Sequence, residues 1–183
     1  MRITAGQARG RRLKAAGRTI RPTASKVREA IFNIIGPSVE GSAFLDLYAG
    51  TGAVGLEALS RGAGRSVFVD INTLRADLIK KVAEEFGFSS SARVYRMGSF
   101  TFLKKAVREN MVFDFIFVDP PYRTEEIMKV LPFIAESGIL SRDGMVLVEH
   151  FSKKRLPDQV GKLIKRKEYS YGDTALTSYN IVE

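Results

Sequence analysis

A short apolar segment that leads through a glycine turn into a helical pattern limits most strongly what this chain can fold into. Residues 43–48 are mostly apolar and predict a strand, and residues 53–61 have the apolar spacing of a helix. Gly50 and Gly52 lie between them and predict a loop. Glycine allows the loop backbone to approach a ligand closely, and the following helix presents its first N–H groups at the same place. The segment therefore predicts a strand, a loop and a helix that bind a ligand at their junction.

Strand and helix patterns alternate along most of the chain, after a first helix predicted from residue 23 or 25 to about residue 35. Such alternation is typical of a mostly parallel sheet with helices on both faces. Residues 162–171 and 174–182 instead predict an antiparallel hairpin added to the sheet edge. The predicted fold is α/β and Rossmann-like, with seven strands and a C-terminal antiparallel hairpin. The remaining predicted elements are strand 43–48, helix 53–61, strand 66–70, helix 73–86, strand 92–96, helix 99–109, strand 113–118, helix 124–136 and strand 144–149.

The glycine loop fits two kinds of cofactor. Gly50-x-Gly52-x-x-Gly55 matches the dinucleotide fingerprint, and Asp70 ends the next apolar segment, where a ribose-binding acid is expected. On this segment alone, NAD and S-adenosylmethionine (SAM) are not separated. Asp46 favours SAM, because a carboxylate four residues before Gly50 can reach the ammonium group of an amino-acid cofactor, which NAD lacks.

A turn of unusual composition follows the strand predicted over residues 113–118. Asp119-Pro120-Pro121-Tyr122 contains two consecutive prolines, which stiffen the backbone and remove two N–H donors. The Asp119 carboxylate and the Pro120 carbonyl can accept both protons of a planar amino group, while Tyr122 stacks on the ring that carries it. These are the properties of a site for the exocyclic amine of a nucleobase. The alternative is an ordinary surface turn, since Asp and Pro are common turn residues.

Three acids lie at or near the carboxyl ends of three predicted strands, namely Asp46, Asp70 and Asp119. Ligands of open α/β sheets bind outside the carboxyl ends of the strands. We therefore expect the three carboxylates to converge on one crevice.

Composition excludes several other kinds of site and of location. The 183 residues are 45% apolar and suffice for one substantial core. The absence of cysteine excludes disulfides, thiolate zinc sites and cysteine nucleophiles, and a single histidine argues against a histidine metal site, so no metal is expected. No apolar segment approaches membrane-spanning length. We expect a cytoplasmic monomer that needs neither a membrane nor a metal.

The net charge of +9 is concentrated near the N-terminus. Residues 1–28 contain nine basic and no acidic side chains, whereas the rest of the chain has equal numbers of each. We interpret residues 1–22 as a basic arm, with a possible short hairpin, and residues 23–183 as the catalytic domain. Because the basic residues are clustered, we interpret them as a surface that contacts the phosphates of nucleic acid rather than as a solubilising surface. The predicted RNA contacts are Arg2, Arg9, Arg11, Arg12, Lys14, Arg21 and Arg28.

Taken together, these motifs resemble those of class I SAM-dependent methyltransferases, and more closely those of the small bacterial enzymes that methylate the N2 amine of a guanine in 16S rRNA. The resemblance spans residue 2 to about residue 150. It is carried by Arg21-Pro22-Thr23, Val27-Arg28-Glu29, Phe32-Asn33, the segment from Asp46 to Gly52, the segment from Gly55 to Gly62, and the segment from Asp119 to Tyr122.

The resemblance implies a role for each matching position. Asp46 and Gly50 to Gly52 would line the methionine part of SAM, Asp70 would bind the ribose hydroxyls, and Asp119 to Tyr122 would hold the target amine. Gly98 stands where related enzymes often carry Asp or Asn, and so offers no side chain to the adenine amine. The full set implied to bind SAM is Asp46, Tyr48, Gly50, Thr51, Gly52, Asp70, Ile71, Gly98, Ser99 and Phe100.

The implied substrate is 16S rRNA or a small-subunit assembly intermediate. Three alternatives stay open at this point. DNA adenine-N6 or cytosine-N4 methyltransferases share the Asp-Pro-Pro-Tyr chemistry, although they usually carry an added recognition region for which this chain has little room. An NAD-dependent oxidoreductase would use the same glycine loop, and a non-catalytic RNA-binding protein would keep the fold without the reaction.

Overall fold

The computed structural model describes residues 1–13, 25–121 and 124–182. The fold is α/β, with a mixed sheet of eight strands that is mostly parallel and ends in an antiparallel hairpin. This confirms the predicted fold class. One more strand is present than predicted, because the two residues of β6, Gln159–Val160, pair with the start of the hairpin.

The chain divides into two compact units, residues 1–99 and 100–183. Within the first unit the strands are parallel in the order β3-β2-β1. Its elements are α1 (Ser25–Ile35), a 3₁₀ helix (Gly36–Val39), β1 (Ala43–Asp46), α2 (Ala53–Ser60), β2 (Arg65–Val69), α3 (Thr73–Glu85) and β3 (Ala92–Tyr95).

Within the second unit β4 and β5 are parallel, and β8, β7 and β6 continue from β5 in antiparallel pairs. Its elements are α4 (Ser99–Arg108, which begins one residue earlier), β4 (Phe113–Val118), α5 (Glu126–Ser137), β5 (Leu140–Phe151), β6, β7 (Leu163–Tyr171) and β8 (Thr174–Ile181). Most boundaries lie within two residues of the predicted ones. The largest difference is the start of β5 at Leu140, where a register irregularity against β4 lets the strand continue through Gly144.

Helix α2 is buried along its whole length, as expected of a helix that is apolar on nearly all sides. The residue that precedes it is Gly52, the N-cap, whose φ of +73° is left-handed. A β-carbon at this position would lie 2.8 Å from Cγ1 of Ile79 in α3. Only glycine therefore lets the loop and α3 pack this closely.

The first thirteen residues pack within the first unit. Ile3, Ala8 and Leu13 are buried, and the possible hairpin reduces to a single antiparallel bridge between Arg2 and Arg12. The boundary predicted after residue 22 lies outside the described residues.

Across residues 1–13, 25–121 and 124–182, no helix is long and apolar enough to cross a membrane. The same residues contain no cluster of three or more His, Asp or Glu side chains that would hold a metal ion.

Candidate functional site

Asp46 is the last residue of β1, and its side chain is buried. Its Oδ2 accepts a hydrogen bond of 3.1 Å from the backbone N–H of Gly55, in the first turn of α2. Burial raises the pKa of Asp46 to about 7; the Gly55 hydrogen bond opposes this shift and the charge of Asp70 adds to it. A cation placed against this carboxyl group would therefore stabilise its charged form near neutral pH.

Asp70 follows β2 and accepts hydrogen bonds from the glycine loop and from the backbone just before α3. Its Oδ2 accepts from the N–H of Gly50 at 2.9 Å, and its Oδ1 accepts from the N–H of Asn72 at 2.7 Å. The guanidinium of Arg75 lies 3.7 Å from Oδ2. A carboxylate has about four acceptor positions, so this one retains capacity for the hydroxyls of a sugar.

The structure thus brings Asp46, Gly50, Gly55 and Asp70 together, as predicted. Thr51 and Gly52 are buried in the same loop, whereas Tyr48 and Gly50 are partly exposed. The N–H of Gly52 bonds to the carbonyl of Ala49 at 2.6 Å and closes the loop as a tight turn before α2.

Two large apolar side chains stand in solvent immediately after Asp70. Ile71 is 78% exposed and Leu74 is 75% exposed. Ile71 belongs to the predicted cofactor set, whereas Leu74 does not. Leu74 lies in the first turn of α3 and is exposed although it is apolar.

The positions predicted to flank an adenine ring lie after β3. Gly98 and Ser99 are partly exposed, and Ser99 begins α4. Phe100 belongs to the second unit, where its ring packs edge to face against Phe133 of α5 at 5.3 Å between centroids. Part of the Phe100 ring is therefore already used in packing.

The predicted amine site follows β4 in the second unit. Asp119 is partly exposed, Pro120 is buried and Pro121 is exposed. The Pro121 carbonyl accepts hydrogen bonds from the N–H and the hydroxyl of Thr124, at 3.1 and 2.8 Å. Tyr122 lies outside the described residues. The predicted convergence of Asp119 with Asp46 and Asp70 stays a prediction.

Arg28 is buried and cannot offer its side chain to an external partner. Its Nε bonds to Glu57 Oε2 at 3.2 Å, and its Nη2 donates to the carbonyl of Arg2 at 2.6 Å. The prediction that Arg28 contacts RNA is therefore wrong, because its side chain binds other parts of the protein. The sequence did not reveal this, because Glu57 lies 29 residues away and its partnership depends on the packing of α1 and the N-terminal segment against α2.

The partner of Arg28 is Glu57, a buried acid to which the sequence interpretation gave no role. Its carboxylate accepts from the backbone N–H groups of Thr4 and Ala5, from the Thr4 hydroxyl and from Arg61. Burial alone would raise the pKa of Glu57, but these hydrogen bonds and the charge of Arg28 outweigh it and lower the pKa below its usual value. Residues 1–13 are thereby held on α2.

The other described basic residues near the N-terminus lie on the surface. Arg2, Arg9, Arg11 and Arg12 are exposed, although Arg11 donates to the Glu85 carbonyl at 2.7 Å and stacks over Phe86. Lys14 and Arg21 lie outside the described residues.

Two acidic side chains, Asp46 and Asp70, lie beside one glycine loop, on a sheet that ends in an antiparallel hairpin. This is how class I SAM-dependent methyltransferases hold their cofactor, and the chain is a protein of that class. Its family follows from the sequence. A family model described as Conserved hypothetical protein 95 matches residues 1–180, and the chain belongs to this family.

Similar proteins cover nearly the whole chain. The Bacillus subtilis protein YlbH, provisionally named as an rRNA methyltransferase, is 39% identical over 180 residues, 98% of each chain. Ribosomal RNA small subunit methyltransferase D of Escherichia coli is 32% identical over 98% of this chain and 89% of its own length. The structure of a hypothetical protein from Thermus thermophilus is 30% identical, with a TM-score of 0.85 over 100% of this chain and 99% of that one.

Proposed function

We propose that this protein transfers the methyl group of SAM to the N2 amine of a guanine in 16S rRNA, within an assembling small ribosomal subunit. The observation that carries the proposal is the Asp119-Pro120-Pro121 turn at the end of β4, where a partly exposed carboxylate stands beside a stiff backbone that lacks N–H donors.

The residues of the first unit fit SAM. Asp46 would face the ammonium of its methionine part, and Asp70 would accept hydrogen bonds from its ribose. Ile71 and Leu74 would cover a face of the adenine ring with apolar surface that is otherwise in water. When bound, SAM supplies an electrophilic methyl group on a sulfonium centre.

The protein's task is to make a weakly nucleophilic amine attack this methyl group. The lone pair of a guanine N2 is delocalised into the ring. Asp119 and the Pro120 carbonyl would accept its two N–H protons, favour a pyramidal nitrogen and stabilise the positive charge that develops during attack. Transfer of the methyl group to the amine would leave S-adenosylhomocysteine as the second product, and Asp119 or water would accept the amine proton.

RNA as the substrate is supported by the names of the relatives and by the exposed cations at the N-terminus. Of the predicted contacts, Arg2, Arg9, Arg11 and Arg12 keep this role in the proposal, whereas Arg28 does not. The amine N2 lies on the Watson–Crick edge, so the target must be unpaired to reach the turn. The acceptor pair suits the amine of either guanine or adenine. The choice of guanine is therefore supported by the family resemblance alone.

The test is transfer of radiolabelled methyl from SAM to deproteinised 16S rRNA, to partly assembled small subunits and to duplex DNA, followed by digestion to nucleosides. We expect N2-methylguanosine, with most label in the partly assembled subunits. N6-methyladenine in DNA would replace the proposed substrate with that of a DNA methyltransferase. No label in any substrate, despite SAM binding, would indicate a non-catalytic RNA-binding protein.

A further inference from the structure

The C-terminal part of the chain carries a second basic cluster, which the overall charge distribution conceals. Residues 151–168 contain seven basic and two acidic side chains. Lys154 pairs with Glu125 and Lys165 pairs with Asp158. The other five are at least partly exposed and form no ion pair with a described carboxylate: Lys153, Arg155, Lys162, Arg166 and Lys167.

Aromatic rings lie among these cations on one face of the sheet. Lys167, Tyr169 and Tyr171 occupy alternate positions of β7 and therefore share a face. Thr174 of β8 pairs with both Tyr171 and Phe151, which places Phe151 of β5 in the same row. The Lys167 ammonium lies 4.8 Å from the Tyr169 ring centroid, and the Lys153 ammonium lies 6.0 Å from that of Phe151. We call Phe151, Lys153, Arg166, Lys167, Tyr169 and Tyr171 the hairpin surface.

The hairpin surface is open along one side. Strand β6 pairs only with Leu163 and Ile164, so no described strand covers the outer edge of β7 beyond them. A register shift between Lys165 and Lys167 inserts Arg166 there and sets two cations next to each other.

This surface begins near the amine site of the same unit. Val118 pairs with Val148, and Asp119 directly follows Val118. Phe151 lies three residues beyond Val148 on the neighbouring strand, about 10 Å along it. The turn of the hairpin reaches the same edge of the sheet, since Phe151 pairs with Thr174. If a nucleotide is held at Asp119, the adjacent nucleotides of the RNA strand would therefore lie close to the hairpin surface.

We propose that the hairpin surface binds an unpaired RNA segment that flanks the target guanine. Its lysines and arginine contact phosphates, and its aromatic rings stack on bases, a combination that holds single strands with little sequence preference. The inference rests on the proposed function, because it assigns a second contact to the same RNA substrate. The competing explanation is that charges on an open edge strand prevent edge-to-edge association of the protein.

The test compares two double charge reversals that change the net charge equally. Arg166→Glu/Lys167→Glu alters the hairpin surface, whereas Arg108→Glu/Lys129→Glu alters exposed cations of α4 and α5. Binding of 16S rRNA and of a short fluorescent oligouridylate is measured across a salt series. We expect the first variant to lose at least about tenfold in affinity for both RNAs at low salt, and its slope of log affinity against log salt to fall by about two. The control should lose far less, and both should bind SAM as the unmodified protein does.

A second variant tests the aromatic contribution. Tyr171→Leu keeps the apolar contact but removes the stacking face, and should weaken oligouridylate binding about 5- to 100-fold. Equal RNA affinity of the hairpin variant and its control would overturn the proposal. So would self-association of the hairpin variant in light scattering, with unchanged RNA affinity of its monomer, which would establish edge protection instead. If the unmodified protein makes a nucleoside other than N2-methylguanosine while the hairpin variants lose RNA affinity, the proposed function fails and the hairpin surface stands.

Discussion

Asp119 and Asp46 both lie at the carboxyl ends of strands, yet their surroundings suit them to different tasks in the proposed reaction. Asp119 is partly exposed beside a turn without N–H donors, whereas Asp46 is 1% exposed. An acceptor for a substrate amine has to be accessible. An acceptor for a bound cation gains strength from burial, where the local dielectric is low.

Replacement of Asp119 by alanine should lower turnover by about 100- to 1000-fold, the usual effect of removing one preorganised electrostatic contact. Asp119→Asn keeps one acceptor oxygen and should lose less. Single-turnover methyl transfer measures the chemical step, and calorimetry with S-adenosylhomocysteine should show unchanged cofactor binding. Near-normal turnover of the alanine variant would remove Asp119 from the mechanism.

The raised pKa of Asp46 predicts pH-dependent cofactor binding. Below a pKa of about 7 the free protein carries a protonated Asp46, and binding of an ammonium group must release that proton. Affinity for S-adenosylhomocysteine should therefore fall as pH is lowered through and below about 7, by about tenfold per unit at the acidic end. Titrations in two buffers of different ionisation enthalpy would show the released proton. Asp46→Asn should bind weakly with no such dependence, and a flat profile for the unmodified protein would contradict the assignment.

At the scale of elements, α2 does more than follow the glycine loop. It carries Glu57, which anchors the first residues of the chain. The backbone of these residues also packs closely against Ser60, the last residue of α2. Gly6 has a φ of +79°, and a β-carbon there would lie 1.7 Å from the carbonyl oxygen of Ser60. The N-terminal residues are therefore fitted to α2 by both charge and shape.

Glu57→Gln should destabilise the fold by about 3–5 kcal/mol, because it leaves Arg28 buried without its counter-charge. Urea denaturation at pH 7 measures the loss, with the exposed Glu84→Gln of α3 as control. The pKa of Glu57 is lowered in the folded state, so its contribution is present above its usual pKa of 4.5 and is lost as the pH falls through the folded value. The gap between the unmodified protein and the variant should narrow over that acidic range. A gap that stays constant would indicate that the charge of Glu57 is not what stabilises the fold.

In the molecule as a whole, the excess positive charge is concentrated in two segments, residues 1–28 and residues 151–168. In the proposed function the first would contribute to RNA binding only through side chains that reach solvent, which include Arg9 and Arg12 and exclude Arg28. Long-range attraction to RNA would therefore depend less on net charge than on which cations remain without internal partners.

Arg9→Gln/Arg12→Gln should reduce the salt slope of 16S rRNA binding by about two and weaken binding most at low salt. Lys80→Gln/Lys81→Gln, an exposed pair on α3, serves as control for the same loss of charge. Arg28→Gln should instead lower stability. An equal slope in the Arg9/Arg12 variant and its control would place the RNA elsewhere.

The local signals in this chain determined its elements and the identity of the cofactor loop. Apolar periodicity and the glycines at positions 50 and 52 act over a few residues, so the order of strands and helices followed from them. The meeting of Asp70 with the glycine loop followed from the general rule that ligands of open α/β sheets bind at the carboxyl ends of the strands. Only the tertiary structure decided that Arg28 turns inward, that Glu57 holds residues 1–13, and that Phe151 and Tyr171 share a face. Each of these depends on groups 20 to 53 residues apart in the chain, whose meeting is set by packing and strand register rather than by local pattern.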